Sequence, residues 1–121
     1  MKIKTSQLTG VALDWAVAKC EGIVISDKPL AAQVSQYGAV LSRYGSIYSP
    51  STNWEQGGPI IEKEKISLDT FAKNTWQAFR TSGSNYGVAV NYADSPLVAA
   101  MRCFCESEFG HEIEIPDELG E

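Results

Sequence analysis

SPLVAAMRCFCESEFG, residues 95–110, carries a complete set of helix signals. Asp94 or Ser95 is placed to cap the helix, Pro96 falls in the first turn and Gly110 is placed to stop it. The spacing puts four apolar side chains on one face: Leu97, Ala100, Met101 and Phe104. The sequence therefore predicts an amphipathic helix whose apolar face packs in the core.

A second helix is predicted near the start of the chain. Thr9 is its expected cap and Gly22 its expected end. Four apolar side chains follow the spacing i, i+3, i+4 and i+7: Leu13, Ala16, Val17 and Cys20. Trp15 lies off this stripe, which predicts that its ring packs against a second surface such as another subunit.

Strand patterns are shorter. Residues 22–26, 60–66, 75–80, 88–92 and 111–115 are rich in β-branched or aromatic residues and alternate in part, so each is predicted to form a strand. Residues 27–45 fit either a helix, on their heptad-like apolar spacing, or a hairpin around Gly38; the spacing favours the helix. The predicted fold class is α+β, with two main helices packed on a short, mainly antiparallel β-sheet.

Length and composition predict an ordinary globular domain. The 121 residues, 44% hydrophobic and 21% charged, are expected to form a single domain, 1–121, that needs neither a disulfide nor a metal to fold. No apolar run reaches the length of a membrane span, and residues 1–5 lack the pattern of a secretory signal. We therefore expect a cytoplasmic protein without a membrane partner.

Acidic residues are concentrated in the last part of the sequence. Residues 106–121 hold seven of them and no Lys or Arg, which leaves residues 1–105 with two excess positive charges, against a net charge of −5 for the chain. Two charges are too few for the basic surface of a nucleic-acid binder, so bulk DNA or RNA is excluded as a partner. The acidic tail, about 112–121, is interpreted as a solvated terminus, or else as a shield over a basic site or a contact for a basic partner.

The most distinctive composition lies at residues 48–61, YSPSTNWEQGGPII. Pro50 and Pro59 restrict the backbone, whereas Gly57 and Gly58 permit a concave amide nest that receives an anion. An aromatic ring here offers a face on which a base stacks. The sequence predicts a loop that binds a small anionic or nucleotide-like ligand through Tyr48, Ser51, Thr52, Asn53, Trp54, Gly57, Gly58 and Arg102. The alternative is a structural turn in which Trp54 anchors the loop to the core.

No catalytic or metal-binding pattern accompanies this loop. Cys103 and Cys105 point roughly 200° apart on the predicted helix, and with Cys20 they are interpreted as reduced, packed thiols. His111, the only histidine, is expected at a helix end near the dipole. We predict no catalytic residues, no cofactor and no metal; a hydrolase using Glu55, Glu62 and His111 is a third hypothesis without support from spacing.

Three blocks of sequence together resemble a known family. Residues 13–19 (LDWAVAK), 48–62 (YSPSTNWEQGGPIIE) and 96–104 (PLVAAMRCF) resemble the NinX-like proteins of tailed bacteriophages and prophages. The resemblance runs from about residue 4 to 119 and includes the acidic finish, but family features do not align at 25–47 and 67–94. It implies a phage accessory protein, from a family without an established biochemical activity.

Two functions compete on this basis. The first is a non-catalytic binder that sequesters a nucleotide-type signalling ligand to counter host defence, with Arg102 or Arg43 neutralising phosphate; this rests on analogy of role with other small phage proteins. The alternative is a protein-interaction module that inhibits or redirects a host protein through Trp15, Trp76, Tyr86 and the acidic tail. The aromatic surplus favours a homo-oligomer in either case.

Overall fold

A computed structural model describes residues 1–23, 28–35, 38–42, 44–81 and 87–119. Within these ranges the helices are α1 (Gly10–Cys20), α2 (Trp54–Glu64) and α3 (Pro96–Phe109). The strands are β1 (Lys2–Lys4), β2 (Val40–Leu41), β3 (Ile47–Tyr48), β4 (Ser67–Ala72), β5 (Thr75–Arg80), β6 (Ala89–Ala93) and β7 (Glu112–Glu114). Short 3-10 turns lie at Thr5–Gln7, Leu30–Ala32 and Asp117–Leu119.

The main sheet is antiparallel, in the order β4-β5-β6. Its register places Ala78 opposite Asn91 and Arg80 opposite Ala89, and all four side chains are buried on the face that α3 covers. Two smaller antiparallel pairs, β1 with β7 and β2 with β3, complete the architecture. The predicted α+β class, with helices on short antiparallel sheets, is confirmed.

The two predicted helices are also confirmed. The Ser95 hydroxyl accepts a hydrogen bond from the Val98 amide at the start of α3, and Gly110, with φ of 88°, ends it. In α1, every residue from 12 to 18 is buried, because the helix lies between other elements. Trp15 is among them, and its indole N–H donates to Gln33 Oε1 at 2.9 Å. Its second surface is thus this chain and not a neighbouring subunit.

Helix α2 corrects two predictions, the loop at 48–61 and the strand at 60–66. The Asn53 side chain accepts from the Glu55 amide at 2.9 Å and caps the helix, which ends where Lys65 takes a positive φ of 54°. Gly-Gly-Pro within it is a poor local helix sequence. The helix forms nonetheless because Ile60 is buried in the core and Gly57 allows a close approach to α3.

The other strand predictions are confirmed in part. β5 coincides with 75–80, β6 is displaced by one residue from 88–92, and β7 lies within 111–115. Residues 22–23 lie in and just after a turn, and 24–26 fall outside the described residues. The preference for a helix at 27–45 is wrong for its described part, where Val34 bridges to Val40 and β2 pairs with β3. Tyr44, which the heptad-like spacing of residues 27–45 would place on the apolar side of a helix, is 88% exposed.

Part of the acidic tail is built into the fold. β7 pairs with β1, with Lys2 opposite Glu114 and Lys4 opposite Glu112. Ile113 is buried, as is the following Ile115. The buried side chains of Ile113 and Ile115 therefore anchor residues 112–115 to the fold, while the acidic side chains of Glu112 and Glu114 remain exposed to solvent.

One buried cation joins three elements. Arg80 donates to Glu64 of α2 at 2.7 Å and to Glu108 of α3 at 3.1 Å, and it also donates to the Ser107 hydroxyl. A buried arginine is tolerated when its donors are paired in this way. The guanidinium thereby fixes the end of α2 and the last turns of α3 against β5.

Candidate functional site

The predicted ligand-binding residues occupy different environments. Tyr48 is half-buried against the core, and burial, with Glu21 and Asp14 nearby, raises the pKa of its hydroxyl well above the usual range. Ser51 is buried, and its amide donates to Asp14 Oδ1 at 2.9 Å. This contact ties the turn before α2 to α1. Both residues therefore serve the packing of the segment.

The two glycines lie inside α2 and do not form an amide nest. The Gly57 amide donates to the Asn53 carbonyl at 2.8 Å. A Cβ at Gly57 would lie 2.5 Å from the Pro50 carbonyl oxygen and 2.6 Å from Leu97 Cδ2, whereas one at Gly58 would meet open space. Gly57 is needed for packing, and the prediction of an anion nest at this pair is wrong because a helix already uses the Gly57 amide.

Arg102 is engaged elsewhere. Its Nε donates to the Leu8 carbonyl at 2.6 Å and its Nη1 to the Tyr92 carbonyl at 2.9 Å. Partial burial lowers the pKa of the guanidinium, and Asp94 opposes that shift. Arg102 thus links the segment before α1 to β6, and these bonds do not connect it to residues 48–58.

Three predicted residues remain together at the surface. Thr52, Asn53 and Trp54 are exposed at the start of α2, where the Trp54 side chain is 54% exposed. Asn53 already acts as the helix cap. The structure thus leaves an exposed ring beside a threonine hydroxyl. Arg43, the second proposed cation, lies outside the described residues.

A larger apolar surface lies on the main sheet. The face opposite α3, here called the outer face, carries the side chains of Phe71, Phe79, Val90 and Tyr92, and the alternation of β6 extends it to Val88. Four of these, all except Phe79, are between 38% and 66% exposed. The Phe71 and Tyr92 ring centroids lie 4.7 Å apart, and the Tyr92 hydroxyl accepts a hydrogen bond from Gln77 at 3.3 Å. Nothing in the described chain covers this face.

The residues predicted for protein contacts differ from those of the outer face. Trp15 is buried, Trp76 is half-buried against the core, and Tyr86 falls outside the described residues. Val88, Val90 and Tyr92 alternate in the sequence, which is the signal of a strand with one apolar face. That signal marks the face but does not tell whether a helix covers it.

A polar cluster lies near the Val88 end of this face. His111 Nδ1 is 2.6 Å from Glu106 Oε2, and the Asn91 side-chain amide donates to Glu106 Oε1 at 2.7 Å. Two cavities, of about 280 and 480 Å³, share Glu106 and His111 in their walls. The predicted position of His111 just beyond a helix end is confirmed. The cluster around Glu106 was missed because Asn91, which donates to Glu106, comes from a separate strand.

No group of three or more His, Cys, Asp or Glu side chains in the described ranges is arranged to hold a metal ion. Burial raises the pKa of the Cys103 thiol to about 12, which disfavours a thiolate nucleophile. His111 contacts Glu106 and not Glu55 or Glu62.

Fold and surface together define a small α+β protein with an apolar sheet face that its described residues leave exposed. Across the part of the chain that the structure describes, no helix has the length and apolar character needed to cross a membrane. A family model described as Bacteriophage P22, NinX matches residues 4–108, and the chain therefore belongs to this family of phage proteins. No match was found among curated proteins.

Proposed function

We propose that this phage protein is a protein-interaction module that acts in the cytoplasm of the infected bacterium, where its outer face binds a host protein. The observation that carries the proposal is the outer face itself. Phe71, Val88, Val90 and Tyr92 expose apolar area on one side of a sheet whose other side is packed under α3.

The apolar area of the outer face is large enough to contribute to the free energy of association. Covering these four side chains removes roughly a few hundred Å² of apolar surface from water, a size at which a contiguous patch is often an interaction site. At about 25 cal/mol per Å² this contributes several kcal/mol toward association before the entropy costs of binding. The paired rings of Phe71 and Tyr92 supply the aromatic centre that dominates many interfaces.

Charge specifies the partner's chemistry. Asp69 shares the outer face, because the register places it opposite Gln77, which in turn lies opposite Tyr92. Glu106 lies near the Val88 end. The complementary surface is therefore an apolar patch bordered by Lys or Arg.

The test places a photo-crosslinking amino acid at Val90 and, as a control, at Tyr44, which is exposed outside the outer face. Crosslinking in infected cells identifies the host protein that contacts position 90. That host protein is then purified. The wild-type chain is expected to bind it, Tyr92→Ser to weaken binding by about tenfold or more as a central aromatic contact, and Tyr44→Ser to leave binding unchanged.

Two results would overturn the proposal. One is a purified candidate that binds the wild-type and Tyr92→Ser chains equally. The other is a homodimer, detected by light scattering, that Tyr92→Ser dissociates; this would assign the face to a second copy and support the homo-oligomer expected from the aromatic content.

A second candidate function is sequestration of a nucleotide-type signal to counter host defence. It is favoured by the exposed Trp54 ring at the start of α2, beside Thr52 and Asn53. A base stacked on an aromatic side chain gains about 1–3 kcal/mol. The site is smaller than the one predicted from sequence, because Ser51, Gly57 and Arg102 are engaged in the fold.

Native mass spectrometry with cyclic dinucleotides and ADP-ribose derivatives tests this candidate. A stoichiometric, intact adduct is expected to form with the wild-type protein and to be lost in Trp54→Ala, while Tyr44→Ala retains it. Equal amounts of adduct in Trp54→Ala and Tyr44→Ala, or no adduct with folded wild-type protein, would contradict a nucleotide site at Trp54.

A further inference from the structure

Within the described residues, the Glu106 carboxylate forms no ion pair with a lysine or an arginine. Its side chain is only 13% exposed, and its one ion-pair partner among the described residues is His111, which is charged only when protonated. Asn91 holds the other carboxylate oxygen with a neutral donor. A largely buried carboxylate is costly unless a cation pairs with it. The arrangement leaves room for a stronger cationic partner.

The surroundings of Glu106 fit a long basic side chain. The smaller cavity, about 280 Å³, is lined by Glu106 and His111 together with apolar surface from Val88 and Phe109. An arginine packs its methylenes on such walls while its guanidinium pairs with a carboxylate. The His111 side chain is 91% exposed, so it has space to move from Glu106.

Further acceptors surround the carboxylate. Asn91 is buried beside Glu106, and its Oδ1 has no hydrogen-bond partner within the described ranges. Glu112 lines the adjoining 480 Å³ cavity. Lys4 lines that cavity too, but the β1–β7 register sets it opposite Glu112, whose charge offsets it. The local balance favours a cation over an anion.

We propose that Glu106 receives the guanidinium of an arginine from the protein that binds the outer face, with the arginine stem between Val88 and Phe109. This inference rests on the proposed protein-binding function and specifies its partner. Val88 is exposed and lines the cavity wall, and it lies two residues before Val90 of the outer face, so one ligand can reach both. Arginine fits better than lysine because its planar donors match a carboxylate bidentately.

The direct test uses a small probe, Nα-acetyl-arginine methylamide, followed by chemical-shift changes in isotope-labelled protein. Its citrulline counterpart has nearly the same shape without the charge. We expect the arginine probe to shift the amides around Glu106, Gly110 and Val88, and to bind about tenfold more tightly than the citrulline probe because its hydrogen bonds are charge-assisted. Equal binding of the two probes would overturn the proposal.

Variants assign the effect to Glu106. Glu106→Gln keeps an acceptor for Asn91 and is expected to abolish the preference for arginine. His111→Ala frees the carboxylate and is expected to strengthen binding of the arginine probe. A Glu106→Gln chain that retains the preference, or a His111→Ala chain that binds the probe more weakly, would contradict the assignment.

Tyr92→Ser separates this inference from the proposed function. The variant alters the outer face but leaves the cavity walls intact, so the arginine probe is expected to bind it normally while the host protein does not. If the arginine probe binds normally but no host protein binds the outer face, the proposed function is contradicted and the inference about Glu106 is not. Partner binding without an arginine preference would remove only the inference.

Discussion

Asp14 shows how one carboxylate organises a turn. It is buried in α1, and its Oδ1 accepts a hydrogen bond from the Ser51 amide. Burial raises the pKa of Asp14, and the Ser51 amide opposes that shift without cancelling it. The sequence marked Ser51 as a ligand residue because its pairing with α1, 37 positions away, has no local signature.

The raised pKa of Asp14 makes a pH-dependent contribution to stability. Since the native state holds the proton more tightly than the unfolded state, the free energy of unfolding falls as pH rises from about 3.8 through the folded pKa of Asp14. Asp14→Asn keeps an acceptor for the Ser51 amide but lacks this titration. We therefore expect the variant to gain stability relative to the wild type across that window and to keep the gain at higher pH.

Urea unfolding of both proteins across this pH range measures the difference. Asp69→Asn, at an exposed position in β4, is the matched control for loss of one negative charge. Wild-type and Asp14→Asn curves that run parallel through the window would contradict the assignment.

Helix α2 is the element where local sequence and tertiary structure disagree. Gly-Gly-Pro predicts a break, yet these residues occupy helical positions between the Asn53 cap and Lys65. Gly57 is retained for contact with Pro50 and Leu97, which are near in space but hidden from a local pattern. Tertiary packing here overrides intrinsic propensity.

Two neighbouring substitutions distinguish packing from flexibility in α2. Gly57→Ala is expected to lower the free energy of unfolding by about 1–3 kcal/mol, because its Cβ overlaps Pro50 and Leu97. Gly58→Ala meets open space and is expected to raise it by up to about 1 kcal/mol, the usual gain over glycine inside a helix. Chemical denaturation measures both; equal effects would show that the close approach at Gly57 does not limit packing.

Across the whole molecule, the elements that the sequence predicted correctly are those with a clear local signal in their own residues. α1 and α3 have identifiable starts and stops, and β5 has clear strand composition. The family was likewise readable from three blocks and is confirmed by the match over residues 4–108. The candidate surface could not be predicted from the sequence, because the outer face depends on the register of β4, β5 and β6 and on the side of the sheet on which α3 packs.

The pairing of β1 with β7 also constrains the order of assembly. It joins residues 2–4 to residues 112–114, so forming it closes a loop of almost the entire chain, and the entropy cost of closure grows with loop length. During synthesis β1 leaves the ribosome before β7, which is made more than a hundred residues later, so the two strands cannot pair until then. Earlier elements can associate in the interval, and the docking of β7 onto β1 completes the fold as a late step after translation of residue 114.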